Sequence, residues 1–268
     1  MFHYTRTAQT FWSIMNNGLR FSYCKETLPG GCFSDKSVLD VLTNSNSILI
    51  PIVCFCDIPI MQAHEHTIKY GEYSFGFDKQ ILIKALSRTN SITLNPVFYY
   101  NDRDMRFLIS NTLHQLNENQ CDSINNSISR ICGLLKPISE TRNGKKYEYY
   151  EEREWRVINH CQESFWKWKV FSNKEYNNDT IEQTRRLLNE KLHNESCYLP
   201  FAIRTNYSNF LASLITHIIV KKETQVNKVI EYLLKPNSKI LGHVPQDMNI
   251  RKLLCSRVTS MERIKKDY

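Results

Sequence analysis

Ile48-Leu49-Ile50-Pro51-Ile52-Val53-Cys54-Phe55-Cys56 is the stretch on which the fold turns. It is rich in β-branched residues and short enough to be a buried strand, so it is expected to lie centrally in a sheet. Upstream, Phe2 to Thr5 reads as a short strand. Ala8, Phe11, Trp12 and Met15 then fall at helical spacing, a stripe ended by Asn17-Gly18. Pro29-Gly30-Gly31 is loop. Downstream, Tyr73 to Phe77 alternates aromatic and small residues and predicts another strand. Asn95 to Tyr100 predicts a third, with its proline at the strand entry.

Beyond these strands the period changes. Met105, Leu108, Ile109, Leu113 and Leu116 share one helical face. Ile124, Ile128, Ile131, Cys132 and Leu135 share a face of a second helix, which stops at Lys136-Pro137. An Asn143-Gly144 turn follows. From Tyr147 to Ile158 alternation returns and predicts one strand, with Tyr147, Tyr149, Trp155 and Val157 on one face and Glu152, Glu154 and Arg156 on the other. Then come a helix from Thr180 to His193, a short strand from Pro200 to Arg204, the apolar run Ile215 to Val220, and a helix aligning Val226, Val229, Ile230 and Leu233. A closing helix is expected from Asn249 onward, where Leu253 and Leu254 are apolar. The predicted architecture is a single α+β domain over residues 1–268, a central mixed or antiparallel sheet with flanking helices and a helical insertion near 103–137.

Composition narrows the class. Hydrophobic residues make up 41% of the 268 and charged residues 23%, ordinary globular proportions with no long polar tract. The longest apolar stretch, Ile48 to Met61, is broken by Pro51, Asp57 and Pro59, and Met-Phe-His-Tyr-Thr has no charged lead into an apolar run. A cytoplasmic protein without membrane contact is expected. Nine cysteines, an odd number without a repeating framework, read as reduced thiols. A net charge of +8 is compatible with an anionic partner such as nucleic acid or a dinucleotide, although the basic residues are dispersed in pairs.

The strongest chemical signal is Glu151-Glu152-Arg153-Glu154-Trp155-Arg156. Charges at alternate strand positions beside aromatics are costly to bury unless they bind something. The other reading is a water-facing sheet with Glu and Arg in cross-strand pairs of about 0.2–1 kcal/mol each. Phe2-His3-Tyr4-Thr5 is the second signal, where a histidine in a strand is more often a core or surface residue than a catalytic one. Cys54-x-Cys56 with His64-x-His66 puts four zinc-competent side chains within thirteen residues. A structural zinc site usually spaces its cysteines by two to four residues, however, so the two cysteines read as small apolar residues of a buried strand and no metal site is assigned. No Gly-x-Gly-x-x-Gly or Walker loop is present.

The order of His-Tyr-Thr near the start, Val53-Cys54-Phe55-Cys56-Asp57-Ile58-Pro59, then a histidine, Tyr70-Gly71-Glu72-Tyr73-Ser74-Phe75-Gly76-Phe77 running on through Asn95-Pro96-Val97-Phe98-Tyr99, the Glu152-Arg153-Glu154-Trp155-Arg156 strand and the late Thr216-His217-Ile218-Ile219-Val220-Lys221-Lys222-Glu223 segment resembles the AbiGi family of bacterial abortive-infection proteins. The resemblance covers most of the chain. Residues 83–94 match it poorly, and 161–195 carry no shared motif. More distantly, the motif order is similar to DarT-like ADP-ribosyltransferases, which implies a fold of that kind and an NAD-dependent toxin acting on nucleic acid or on a phage or host protein. In that chemistry the nicotinamide–ribose bond breaks through an oxocarbenium-like state that a nearby carboxylate stabilises. The resemblance then implies Glu154 as the catalytic carboxylate, with Glu152 beside it in a Glu-x-Glu arrangement. His3 and Thr5 would hydrogen-bond ribose and the amide, Tyr73 or Tyr70 would stack on nicotinamide, and Arg20 or Arg156 would pair with pyrophosphate. Two other readings stand beside it. One is a non-catalytic antitoxin or regulatory subunit binding a cognate effector; the other is a nuclease using Glu152, Glu154 and Asp57 around Mg²⁺.

Overall fold

In a computed structural model of the chain, residues 1–27, 45–87, 92–101, 133–142, 145–159, 169–172, 178–201 and 207–267 are described. In chain order the strands are β1 (Phe2–Thr5), β2 (Ser22–Thr27), β3 (Ser45–Cys56), β4 (Tyr73–Phe77), β5 (Ile92–Pro96), β6 (Phe98–Tyr100), β7 (Leu135–Pro137), β8 (Ser139–Arg142), β9 (Lys145–Glu148), β10 (Glu154–Asn159), β11 (Lys169–Ser172), β12 (Ile215–Val220) and β13 (Val258–Ser260). The helices are α1 (Ala8–Asn17), α2 (Ala63–Tyr70), α3 (Lys79–Leu86), α4 (Asn178–Asn194), α5 (Tyr207–Leu214), α6 (Val226–Leu234), α7 (Met248–Cys255) and α8 (Met261–Asp267). The class is α+β with a mixed sheet. None of the described helices is long and apolar enough to cross a membrane.

The chain divides into two compact units, the first of Met1–Arg20, Cys54–Asn90 and Tyr198–Tyr268, the second of Phe21–Val53 and Ser91–Cys197. In the first unit β4 is flanked by β1 and β12, both antiparallel to it, with Phe2 opposite Gly76 and Ile218 opposite Phe75. β13 adds in parallel to β12, and the end of β3 pairs Cys56 with Phe2. β4 is buried along its whole length, so both faces of this sheet are covered. On one face α1 lays down Phe11, whose ring stacks on Phe75 at 5.0 Å, with Ile14 and Met15 also buried. Thr7 caps this helix by accepting from the Thr10 amide at 3.1 Å, and Gly18, at φ 97°, ends it by donating its N–H to the Ile14 carbonyl. Phe2, Ala63, Ile219, Met261 and Ile264 form the buried cluster of the other face.

In the second unit β2 and β11 pair antiparallel with β3, and β5 pairs antiparallel with β10 from Ile92–Asn159 to Pro96–Trp155. Asn189 of α4 clips β2, its Oδ1 accepting the Tyr23 amide at 2.7 Å. β6 and β7 form a parallel pair and β8 and β9 a hairpin.

Several expectations change here. Leu135 is not the end of a helix but opens β7, because Pro137 cannot extend a helix while Leu135 and Lys136 pair with Phe98 and Tyr99. The expected strand from Asn95 to Tyr100 is two strands broken at Val97, with Pro96 at the end of the first. The single strand from Tyr147 to Ile158 is also two, separated by a 3₁₀ turn at Tyr150–Glu152 and by Arg153 at φ 43°. The closing helix is α7, which β13 and α8 follow. Most of the predicted helical insertion, the Asn143-Gly144 turn and residues 202–204 of a predicted strand lie outside the described residues.

Candidate functional site

The interior of the second unit holds a group of charged side chains. β10 alternates, so Glu154 and Arg156 share a face. The 3₁₀ turn and left-handed Arg153 bring Glu152 back to the same place, and β7, fixed by its pairing with β6, contributes Lys136. Lys136 Nζ donates to Glu152 Oε2 and Glu154 Oε2, each at 2.7 Å. Arg156 Nε donates to Glu154 Oε1 at 2.9 Å, and its Nη2 lies 3.3 Å from Glu154 Oε2 and 3.0 Å from Glu26 Oε2. Arg156 Nη1 donates to the Gly133 carbonyl at 2.8 Å.

Arg156 is wholly buried and Glu152 and Glu154 nearly so. Aromatic groups close the setting. The Glu154 amide donates to Tyr99 Oη at 2.8 Å, and Lys136 Nζ sits 4.6 Å above the Tyr149 ring. Burial pushes the Glu154 carboxyl up, but the Arg156 guanidinium and then the Lys136 ammonium reverse this and hold it well below the usual carboxylate range. Glu26 goes the other way, because desolvation outweighs the Arg156 charge and raises it. The Tyr99 phenol is pushed up to about 12, chiefly by burial. The arrangement therefore holds Glu154 as a carboxylate with both oxygens accepting hydrogen bonds, and Glu26 as the group more ready to take a proton.

The remaining predicted side chains belong to the first unit. His3, Thr5 and Tyr73 lie on one face of its sheet, His3 opposite Phe75 and Thr5 opposite Tyr73. His3 Nδ1 donates to the Cys54 carbonyl at 2.8 Å, and the ring meets Phe55 edge-on at 5.9 Å. Burial lowers its pKa, opposed by that carbonyl. The Tyr73 ring lies 5.6 Å from Phe11, and its hydroxyl accepts from Gln225 Nε2 at 3.0 Å. Tyr70 is on α2, its ring 5.3 Å from His66. Arg20 forms a bridge with Tyr198. Asp57 pairs with Lys79 at 2.5 Å. Cys56 Sγ and His66 Nε2 are 3.1 Å apart, and among the described residues no three His, Cys, Asp or Glu side chains are grouped to hold a metal ion.

So the structure joins Glu152, Glu154 and Arg156 in one cluster and sets His3, Thr5 and Tyr73 on one sheet face. Sequence reasoning missed Lys136, Glu26 and Tyr99. Lys136 precedes a proline and reads locally as a helix stop, and no local pattern ties Glu26 to a partner on β10.

A family model described as abortive phage resistance protein AbiGi, antitoxin, matches residues 17–197, more than half of the chain. A relative with the name abortive phage resistance protein AbiGi, from Lactococcus lactis subsp. cremoris, is 24% identical over 239 residues, which cover 82% of this chain and 89% of that protein. No solved structure matches.

Proposed function

Because the chain belongs to the AbiGi family of abortive phage resistance proteins, we propose that it is the antitoxin half of a phage-defence pair, a non-catalytic subunit that binds and restrains a cognate toxin. The observation that carries this reading is the state of Glu154. An ADP-ribosyl transfer needs a carboxylate free to face a developing positive charge on ribose. Glu154 instead spends one oxygen on Arg156 and the other on Lys136 and Arg156, in a buried setting. A substrate would have to displace two cations from it, leaving them without their anion in a low-dielectric interior. Such a network suits a scaffold that fixes the shape of a binding surface.

The test is expression in cells with and without the toxic product of the neighbouring gene. The chain alone is expected to leave growth unchanged, to restore growth when the toxin is present, and to copurify with it. Purified chain incubated with NAD is expected to leave the dinucleotide intact. Growth arrest by the chain alone, with NAD consumed by the wild type and spared by Glu154→Gln, would overturn the antitoxin reading in favour of ADP-ribosyl transfer.

A further inference from the structure

Charge in this chain is concentrated late. Residues 221–268 contain eleven Lys and Arg against five Asp and Glu, so this stretch contributes +6 of the net +8. Part of that charge is internally matched. Lys221 and Lys265 both pair with Glu72, Arg263 pairs with Glu223, and Arg251 is buried. Of what is left, four lysines project from α6 and α7 and the segment between them. Lys228, Lys235, Lys239 and Lys252 are exposed and have no ion-pair partner among the described residues.

The same outward faces carry apolar side chains. Leu234, Met248 and Leu253 are 40%, 44% and 42% exposed. The two helices pack antiparallel, since Cys255 Sγ approaches the Ile230 carbonyl while Arg251 reaches the end of α6. Each keeps its buried side inward: Val226, Val229 and Leu233 on α6, Arg251 and Leu254 on α7. The face is also rigidly built. Arg251 Nη1 donates to the carbonyls of Leu233 and Lys235 and to Ser238 Oγ, and Nη2 donates to the Pro236 carbonyl, at 2.5–2.8 Å. This fork satisfies the open carbonyl end of α6 and locks the lysine-bearing turn.

We propose that the outward face of α6 and α7 is the surface on which the cognate toxin docks, through an acidic, amphipathic segment of that toxin. This rests on the antitoxin reading and names the surface and the chemistry it selects. Unpaired lysines ask for carboxylates or phosphates, and a pre-ordered surface loses little entropy on binding. The three leucine and methionine side chains decide between those anions. A nucleic-acid backbone has no apolar counterpart for them, whereas an acidic helix or strand with its own apolar residues covers them while its carboxylates reach the lysines.

The test uses the full chain and the toxin encoded beside it, with binding measured at several salt concentrations, and a random-sequence DNA duplex as a second probe. Lys228→Glu/Lys235→Glu/Lys252→Glu alters exposed positions only, and circular dichroism checks that it folds. It is expected to weaken the toxin complex at least about tenfold and to flatten its salt dependence. Leu234→Ser/Leu253→Ser is expected to weaken the complex while leaving the salt dependence unchanged. If wild type forms a complex and both variants match its affinity, toxin docks elsewhere and this proposal falls while the antitoxin reading survives. If wild type binds no toxin, the antitoxin reading itself fails. Duplex binding that is lost in the triple-lysine variant while the toxin complex is untouched overturns the proposal in favour of a nucleic-acid surface.

Discussion

Glu154 and Arg156 show how two residues one step apart on a face can shape an interior. Placed alone, either charge would be expelled from the core. Placed together with Lys136, Glu152 and Glu26, they share hydrogen bonds at 2.7–3.3 Å. Such networks contribute little net stability over an apolar core, but removing one member leaves its partners charged and unpaired. Arg156→Ala is therefore expected to cost about 3–5 kcal/mol in urea denaturation. Lys136→Met in a background that already carries Glu152→Gln is expected to cost less than Lys136→Met alone, since a neutral amide needs no counter-ion. Equal costs in the two backgrounds would mean that Lys136 acts through packing and not through its charge.

At the scale of elements, turns matter as much as strands. Gly71 ends α2 at φ +103°, and a Cβ there would meet the Thr5 carbonyl oxygen at 2.3 Å and Arg6 Cα at 2.4 Å. Both obstacles are backbone, so nothing flexible can yield. Gly71→Ala is expected to cost more than about 2 kcal/mol, combining left-handed strain with a clash, and a thermal midpoint within a degree of wild type would refute that account. The regular elements were legible where apolar period and length agreed, as in β1, β3, β4, β12, α1 and α6. The failures have physical causes. The break between β9 and β10 occurs at Tyr149 to Arg153, a run without Gly, Pro or Asn, so its alternating charges read straight through a turn that tertiary packing imposes. Ser-Tyr-Cys-Lys-Glu-Thr of β2 has little β-branched content, and its strand exists because β3 supplies the ladder. Glu154 and Arg156 stood out as charged positions on one face, but their partners Lys136 and Glu26 could not, since contacts across 18 and 130 positions leave no periodic trace.

For the whole molecule the telling quantity is how stability responds to acid. His3, His217 and His243 all have pKa values lowered from 6.5, each chiefly by burial, with the N-terminal ammonium and then Arg257 adding to the effect at His217 and Lys239 at His243. A depressed folded-state value means that both states are neutral above 6.5. As pH falls below 6.5, the unfolded chain takes up protons that the folded chain refuses, and stability is lost. The net charge of +8 grows in the same range and adds self-repulsion, most of it in residues 221–268. Glu26 acts in the opposite sense, because its raised carboxyl makes the folded state the better proton acceptor as pH falls toward 4.5. Glu154 and Glu72, whose values are lowered, withdraw their stabilisation only below 4.5. The urea midpoint is thus expected to drop between about pH 7 and about pH 5, in the range where histidine titrates. His3→Gln, whose amide still has a donor for the Cys54 carbonyl, is expected to lower the midpoint at neutral pH yet reduce the drop on acidification. A variant whose midpoint falls with pH as steeply as wild type would show that the half-buried imidazole of β1 does not contribute to the acid response.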